Sequence, residues 1–202
     1  MIENEPNLVP AVILAAGEAR RFGKIKQMMP WGRLTVLESV ISSALTAGLD
    51  LIYVVLGANA ALIREKIGAL PIRILINLDW PEGQGSSLRM AALNLPDNAQ
   101  GMLTLLGDQP QISPNLIRAV AVKGVESGKV TRPIIGDRRG HPVYFPKVCL
   151  AMLRELKAEQ SGRDVVRAFP NEFLPWFDEN MLLDMDTPTD YENLKAAFRL
   201  DG

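Results

Sequence analysis

VILAAGEARRFGKIKQMMPW, residues Val12 to Trp31, is the stretch on which the fold turns. It reads as a buried strand, then a glycine loop, then a run of cations closed by Pro30. The apolar run Val9–Ala15 suits a strand covered by helices on both faces. Gly17 follows at once, where backbone N–H groups can face a ligand with no side chain in the way. Arg20, Arg21, Lys24 and Lys26 then fall within seven residues. Such a run makes a poor hydrophobic surface and a good cradle for a polyphosphate. A strand feeding this loop points to a nucleotide site at the carboxyl end of a parallel sheet.

Two familiar phosphate loops do not fit. A P-loop needs four residues between its glycines and a hydroxyl residue after its lysine. Here five residues separate Gly17 from Gly23, and Ile25 follows Lys24. The dinucleotide fingerprint G-x-G-x-x-G fails because Ala19 stands where the second glycine belongs. A near match at Gly83-Gln84-Gly85-Ser86-Ser87-Leu88 lacks the third glycine.

Outward from this loop, strands are expected at Leu51–Leu56, Ile72–Asn77, Met102–Leu106 and Val130–Ile135. Helices are expected at Thr35–Ala47, Ala60–Ile67, Ser86–Leu95 and Pro114–Ser127. The alternation predicts one α/β domain, a Rossmann-like three-layer αβα sandwich on a mostly parallel sheet. An antiparallel elaboration toward the C-terminus completes it. There a strand is expected at Val143–Phe145 and helices at Lys147–Ala158 and Arg163–Phe169. Short strands follow at Phe173–Phe177 and Met181–Leu183, then a helix from about Asp190 to Leu200. No linker or repeat interrupts the chain, so residues 1–202 read as one domain, with a nucleotide-binding half (about 9–110) and an acceptor-side half (about 111–202).

Composition narrows the function classes. The chain has 202 residues and a formal net charge of −1, which argues against a broad nucleic-acid surface. No apolar run is long enough to span a bilayer. Glu3 and Glu5 precede the run Val9–Ala16, unlike the basic start of a signal peptide. The single Cys149 excludes an internal disulfide and fits a reducing, cytoplasmic setting. It reads as a small buried apolar residue.

Two acidic clusters carry the chemistry. Asp108, in Gly107-Asp108-Gln109-Pro110, lies just past a buried strand on the expected phosphate rim, well placed to hold Mg²⁺. A turn or capping role competes, since Ser113-Pro114 prepares a helix start. Asp184-Met185-Asp186-Thr187-Pro188 is the second cluster. Mg²⁺ usually takes one or two carboxylates plus substrate phosphates, so Asp108 could pair with Asp184 or Asp186, which share a face of an alternating strand. A capping role for Asp186 also competes. The paired Ser86 and Ser87 suit either a helix cap or hydrogen bonds to a base or ribose. His141 is the sole histidine, and nothing supplies it with a triad or metal-ligand spacing. Arg163, after Ser161-Gly162 at a helix start, suits either an anionic acceptor or a capped, solvated helix end. Trp31 suits stacking on a base or packing on the sheet, the second being the commoner use. Met28, Met29 and Met90 read as core.

The ordered motifs LAAG-x-x-x-R-hydrophobic-G-x-x-K, GDQP, GHP and D-x-D-T-P resemble the MobA-like nucleotidyltransferases, from Val12 to about Tyr191. The continuation Lys26-Gln27-Met28-Met29-Pro30-Trp31 is similar to the branch of molybdenum cofactor cytidylyltransferases. Ala19 stands where that loop usually has Ser, and Phe22 where it usually has Met, which removes one hydroxyl contact.

The resemblance implies transfer of CMP from CTP to the phosphate of molybdopterin, with Mg²⁺ and release of pyrophosphate. It implies that Leu14, Ala15, Ala16 and Gly17 offer backbone groups to the base and phosphates, and that Arg21 and Lys26 attract the phosphates. Gly83 and Ser87 would border the base. Asp108 and Asp186 would hold the metal, with Asp184 supporting. His141, Pro142 and Arg163 would line the acceptor pocket, and a molybdoenzyme would be the recipient of the product. Other readings remain open: another NTP, a sugar-phosphate or alcohol acceptor, or a non-catalytic chaperone for the finished cofactor.

Overall fold

β1 (Ala11–Ala15) forms because its alternating side chains are apolar on both sides. Ala11 and Ile13 enter one core cluster and Val12 the other. A strand buried on both faces takes the centre of a sheet. The computed structural model describes residues 9–19 and 21–200. Arg20, one of the four loop cations, lies outside them.

The strands that follow are β2 (Pro30–Trp31), β3 (Leu34–Thr35), β4 (Ile52–Leu56), β5 (Arg73–Ile76), β6 (Gly101–Leu106), β7 (Val130–Ile135), β8 (Arg138–Arg139), β9 (Val143–Pro146) and β10 (Asn171–Pro175). The helices are α1 (Val36–Thr46), α2 (Ala60–Ile67), α3 (Gln84–Leu93), α4 (Pro114–Ser127), α5 (Leu150–Arg154), α6 (Gly162–Ala168) and α7 (Pro188–Ala197). The main sheet runs β10-β7-β9-β6-β1-β4-β5, with β8 folded back on β7 and β2-β3 a separate ribbon. β1 is parallel to both β4 and β6. β9 runs antiparallel to β6 and to β7, and β10 is parallel to β7. The sheet is therefore mostly parallel, with the reversal in the second half, as expected.

Two apolar clusters make the three layers. Ile13, Val54 and Leu103 on one face of the sheet meet Leu37 and Ile41 of α1 and Leu116 and Ile117 of α4. Val12, Val55 and Met102 on the other face meet Leu88 of α3, Leu153 of α5 and Val165 of α6. A third cluster docks α7: Tyr191 and Leu194 pack with Phe22, Trp31 and Met185. Trp31 lies 5.6 Å from the Phe198 ring, so it packs rather than stacking on a ligand. Met28, Met29 and Met90 all pack against core clusters, and Cys149 is buried and free.

Three elements of the last third differ from expectation. Met181–Leu183 is not a strand: Glu179–Leu182 form a 3₁₀ turn, in which Met181 is buried over Gly140, Leu182 packs at the core edge and Leu183 is exposed. The helix expected over Lys147–Ala158 is shorter: a 3₁₀ turn at Lys147–Cys149 leads into α5, which ends at Arg154. The strand expected at Phe173–Phe177 starts two residues earlier and ends at Pro175, held by its pairing with β7.

Candidate active site

The ends of β1 and β6 lie side by side, Leu14 opposite Leu106. Just beyond, the Gly107 N–H donates to the Leu14 carbonyl at 2.9 Å. A Cβ on residue 107 would sit 2.8 Å from the Ala15 Cβ, so only glycine lets this turn approach β1 so closely. Asp108 is thereby fixed beside the loop that begins at Ala16. Together they border a cleft of about 510 Å³, with Leu14, Ala15, Ala16, Gly17, Lys26 and Asp108 on one side. Trp80, Gly83 and Ser87 form the other side. A Cβ on Gly17 would touch no protein atom, which leaves its backbone open to a ligand.

Lys26 organises the acidic residues. It is carried on a 3₁₀ turn (Lys26–Met28), and its side chain is only 9% exposed. Its ammonium donates to Asp108 Oδ2 at 2.9 Å, to the Met185 carbonyl at 2.8 Å and to Asp186 Oδ1 at 3.2 Å. All three protons are used, and two carboxylates remote in sequence meet at one atom. The third cluster makes this possible. Phe22 meets Tyr191 edge-on at 6.1 Å, and the Tyr191 hydroxyl donates to the Pro30 carbonyl at 2.6 Å. These contacts clamp the Met185–Asp186 segment against the loop.

The competing capping roles fall away. Thr187 caps α7 in a capping box with Asp190, which leaves the Asp186 side chain free for Lys26 and Arg21. Ser113 caps α4, so Asp108 is not needed there. Asp184 carries a carboxyl raised above its usual range, first by burial and then by the negative charges of Asp186 and Asp108. Three carboxylates thus crowd one buried ammonium. Among the described residues no group of three or more acidic or imidazole side chains is placed to hold a metal ion unaided, so a divalent cation of the Mg²⁺ class would take one or two of these carboxylates and complete its shell with ligand oxygens.

Several expected contacts are refined. Arg21 does not line the cleft; its Nη2 donates to Asp186 Oδ2 at 2.7 Å from the rim, and its side chain is 76% exposed. Solvent screens a pair of that kind. Neither serine caps α3, whose N-cap is Gly83 with φ +107°, a conformation reserved for glycine. Instead buried Asn77 donates its amide to Ser86 Oγ at 2.8 Å and Ser87 Oγ at 3.0 Å. Ser86 passes its proton to the Gly83 carbonyl. Ser87 faces the cleft, with its own proton available to a ligand.

A second cleft of about 550 Å³ adjoins the first and shares Leu14, Gln84 and Leu106 with it. His141 and Arg163 line it. Pro142 is buried behind them and does not. Ser161 caps α6 in a capping box with Asp164, so its hydroxyl is spent on the helix. Sequence reasoning missed Arg132, Arg138 and Arg139 on the same wall, and Gln84 and Gln109 nearer the junction. None of these arginines stands in a motif that marks it in the sequence.

His141 is neutral at neutral pH. Its pKa is lowered to about 4, first by burial and then by the charge of Arg132, against a hydrogen bond to the Thr104 backbone. Its Nδ1 is buried with no protein partner. The residue therefore presents a neutral ring to the cleft, not a cation. A base whose folded pKa is depressed favours the fold fully above its unfolded pKa of 6.5 and loses that contribution as pH falls toward about 4. His141→Gln should therefore lose about 1–2 kcal/mol less stability than wild type between about pH 7 and about pH 5. Parallel denaturant melts at the two pH values measure the difference, and equal losses would refute the shift.

Residues 11–173 match the model of the MobA-like NTP transferase domain. The chain belongs to this family. MobA-like relatives cover nearly its whole length. Nicotine blue oxidoreductase of Paenarthrobacter nicotinovorans is 30% identical over 95% of this chain and 96% of its own. The molybdenum cofactor cytidylyltransferase of Escherichia coli is 25% identical over 94% and 97%. Among solved structures, Rv0371c of Mycobacterium tuberculosis superposes with a TM-score of 0.82 at 28% identity, over 94% of this chain and 98% of its own. A manganese complex of that protein superposes at 0.77. The MobA-like fold thus accounts for the parallel sheet and for the loop after β1.

Proposed function

We propose that this MobA-like nucleotidyltransferase moves CMP from CTP to the terminal phosphate of a molybdopterin-type acceptor and releases pyrophosphate. The observation that carries the reading is the meeting of Asp108 and Asp186 at Lys26, on the wall of a glycine-loop cleft that adjoins a second, arginine-lined cleft. In this reading about 9–110 form the nucleotide side and about 111–202 the acceptor side, with Leu14 and Gln84 shared. The molybdenum cofactor cytidylyltransferase among the relatives supports the acceptor class. A buried free thiol at Cys149 fits a reducing cytoplasm.

The chemistry asks for placement more than for a base. A phosphate monoester is already anionic, so the barrier lies in bringing two anions together in line. The backbone of Leu14 to Gly17 and the Ser87 hydroxyl hold the nucleotide. Lys26 directs positive charge into the nucleotide cleft, and Arg21 adds it from the rim. Asp108 and Asp186, with Asp184 beside them, would hold Mg²⁺, which when bound neutralises charge on the α-phosphate. His141 and Arg163 orient the acceptor. A carrier that only delivered finished cofactor would need no carboxylate pair beside a triphosphate cradle. A molybdoenzyme is the proposed recipient of the product.

Thermal melts with Mg²⁺ and CTP, GTP or ATP test the nucleotide, and pyrophosphate release with molybdopterin tests the reaction. CTP at a hundredfold excess over its Kd should stabilise by about 2.7 kcal/mol, the others by much less. Equal shifts with GTP or ATP would displace CTP. Absence of acceptor-dependent pyrophosphate would displace the reaction.

A further inference from the structure

Arg132, Arg139 and Arg163 converge where α6 covers the sheet. Arg132 lies on β7 opposite Phe173 of β10. Arg139 pairs with Ile134, two residues along from Arg132, so these side chains share one face. The Arg139 guanidinium lies 5.1 Å above the Phe173 ring, which fixes its direction. The three arginines line the acceptor cleft and also a neighbouring cavity of about 490 Å³.

None of the three makes an ion pair among the described residues. Asp164, the nearest carboxylate in sequence to Arg163, is spent: Oδ2 accepts from the Ser161 N–H and hydroxyl, and Oδ1 faces Arg167 at 4.0 Å. The Nε of Arg132 is buried with no partner. Arg139 and Arg163 also depress the pKa of Arg132, after burial, so the cluster repels itself. A buried donor without an acceptor and like charges without a counter-charge both cost stability, and both costs vanish when an oxyanion enters. The cluster stands apart from the nucleotide, since none of these arginines lines the first cleft. His141, whose pKa feels Arg132, reaches the sheet at Thr104, roughly 7 Å of strand before the end of β6.

We propose that Arg132, Arg139 and Arg163 form a second oxyanion site, of the phosphate class, which grips an anionic group of the acceptor away from its reacting oxygen. The proposal rests on the acceptor reading above and adds that the acceptor carries negative charge at two places. Guanidinium groups suit such a ligand because their fixed forks match tetrahedral oxyanions in pairs.

Inorganic phosphate is the probe, followed by ³¹P line broadening without nucleotide or divalent metal. Wild type and Lys26→Gln should bind it alike, and Arg132→Gln/Arg139→Gln should bind it roughly tenfold or more weakly. Arg139→Gln alone, at an exposed position, serves if the double variant does not fold. In turnover the arginine variants should raise the acceptor KM by a similar factor and leave the CTP-induced thermal shift unchanged. No phosphate binding, binding that survives in the arginine variants, or loss mainly in Lys26→Gln would overturn the site. So would an unchanged acceptor KM. The phosphate titration needs no turnover, so its outcome is separate from that of the CTP and pyrophosphate tests.

Discussion

Asp108→Asn is expected to slow pyrophosphate release by on the order of a hundredfold to a thousandfold while the protein keeps its fold. The substitution is isosteric and leaves an amide oxygen that can still accept from Lys26, where Oδ2 now accepts at 2.9 Å. Removing one negative charge from a crowded acidic set relieves repulsion on Asp184, which Asp108 helps to create. Stability should therefore change by less than about 1 kcal/mol. What is lost is one of two hard anionic oxygens for a divalent ion, and a neutral amide is a much poorer ligand. The Mg²⁺-dependent rise in Tm should shrink along with turnover. Near-normal turnover in a folded Asp108→Asn protein would remove Asp108 from the reaction. Loss of turnover with a full Mg²⁺ response would keep its role but move the metal elsewhere, with Asp184 the nearest replacement.

The relatives sharpen where specificity must lie. One is named an oxidoreductase and another a cytidylyltransferase, at 30% and 25% identity over nearly the whole chain. The fold and loop shared with such relatives do not choose between these chemistries. Under the function proposed above, the residues that choose face the second cleft, which makes the neutral His141 and its arginine neighbours the positions to vary first.

What the sequence disclosed and what it hid follow one physical division. β1 and its loop were readable because the evidence is local: an apolar run, a glycine and cations within reach of one another. Asp108 and Asp186 were readable as candidates because each stands in a short motif. Their pairing was expected, but its form, two carboxylates on one lysine ammonium, was not, because it depends on Phe22, Trp31 and Tyr191 packing across most of the chain. The arginine cluster left no local signal either. Arg132 and Arg139 become neighbours only through the β7–β8 hairpin, and Phe173 joins them only through β10 pairing with β7. The serines left two uses open in sequence, and neither includes the partner they have. Two hydroxyls at a helix start suit a cap or a ligand, but the Asn77 amide, just past β5, donates to both.

Lys26→Met should carry the largest combined cost, in stability and in rate. Methionine keeps the apolar stem and removes the ammonium. The Met185 carbonyl then loses a donor at 2.8 Å, and Asp108 and Asp186 face each other without their shared cation. The lysine is 9% exposed and the aspartates are 32% and 42% exposed, so the cost lies below that of a fully buried pair, at about 2–3 kcal/mol. Turnover should fall because positive charge on the wall of the nucleotide cleft is gone. The distinguishing result is the response to Mg²⁺ without nucleotide. If the two carboxylates are a cation site that Lys26 satisfies in the free protein, the variant should gain more Tm from Mg²⁺ than wild type does, since the competing ammonium is absent. An equal or smaller gain would mean that the carboxylates serve only to anchor Lys26, and that the divalent ion binds through other oxygens.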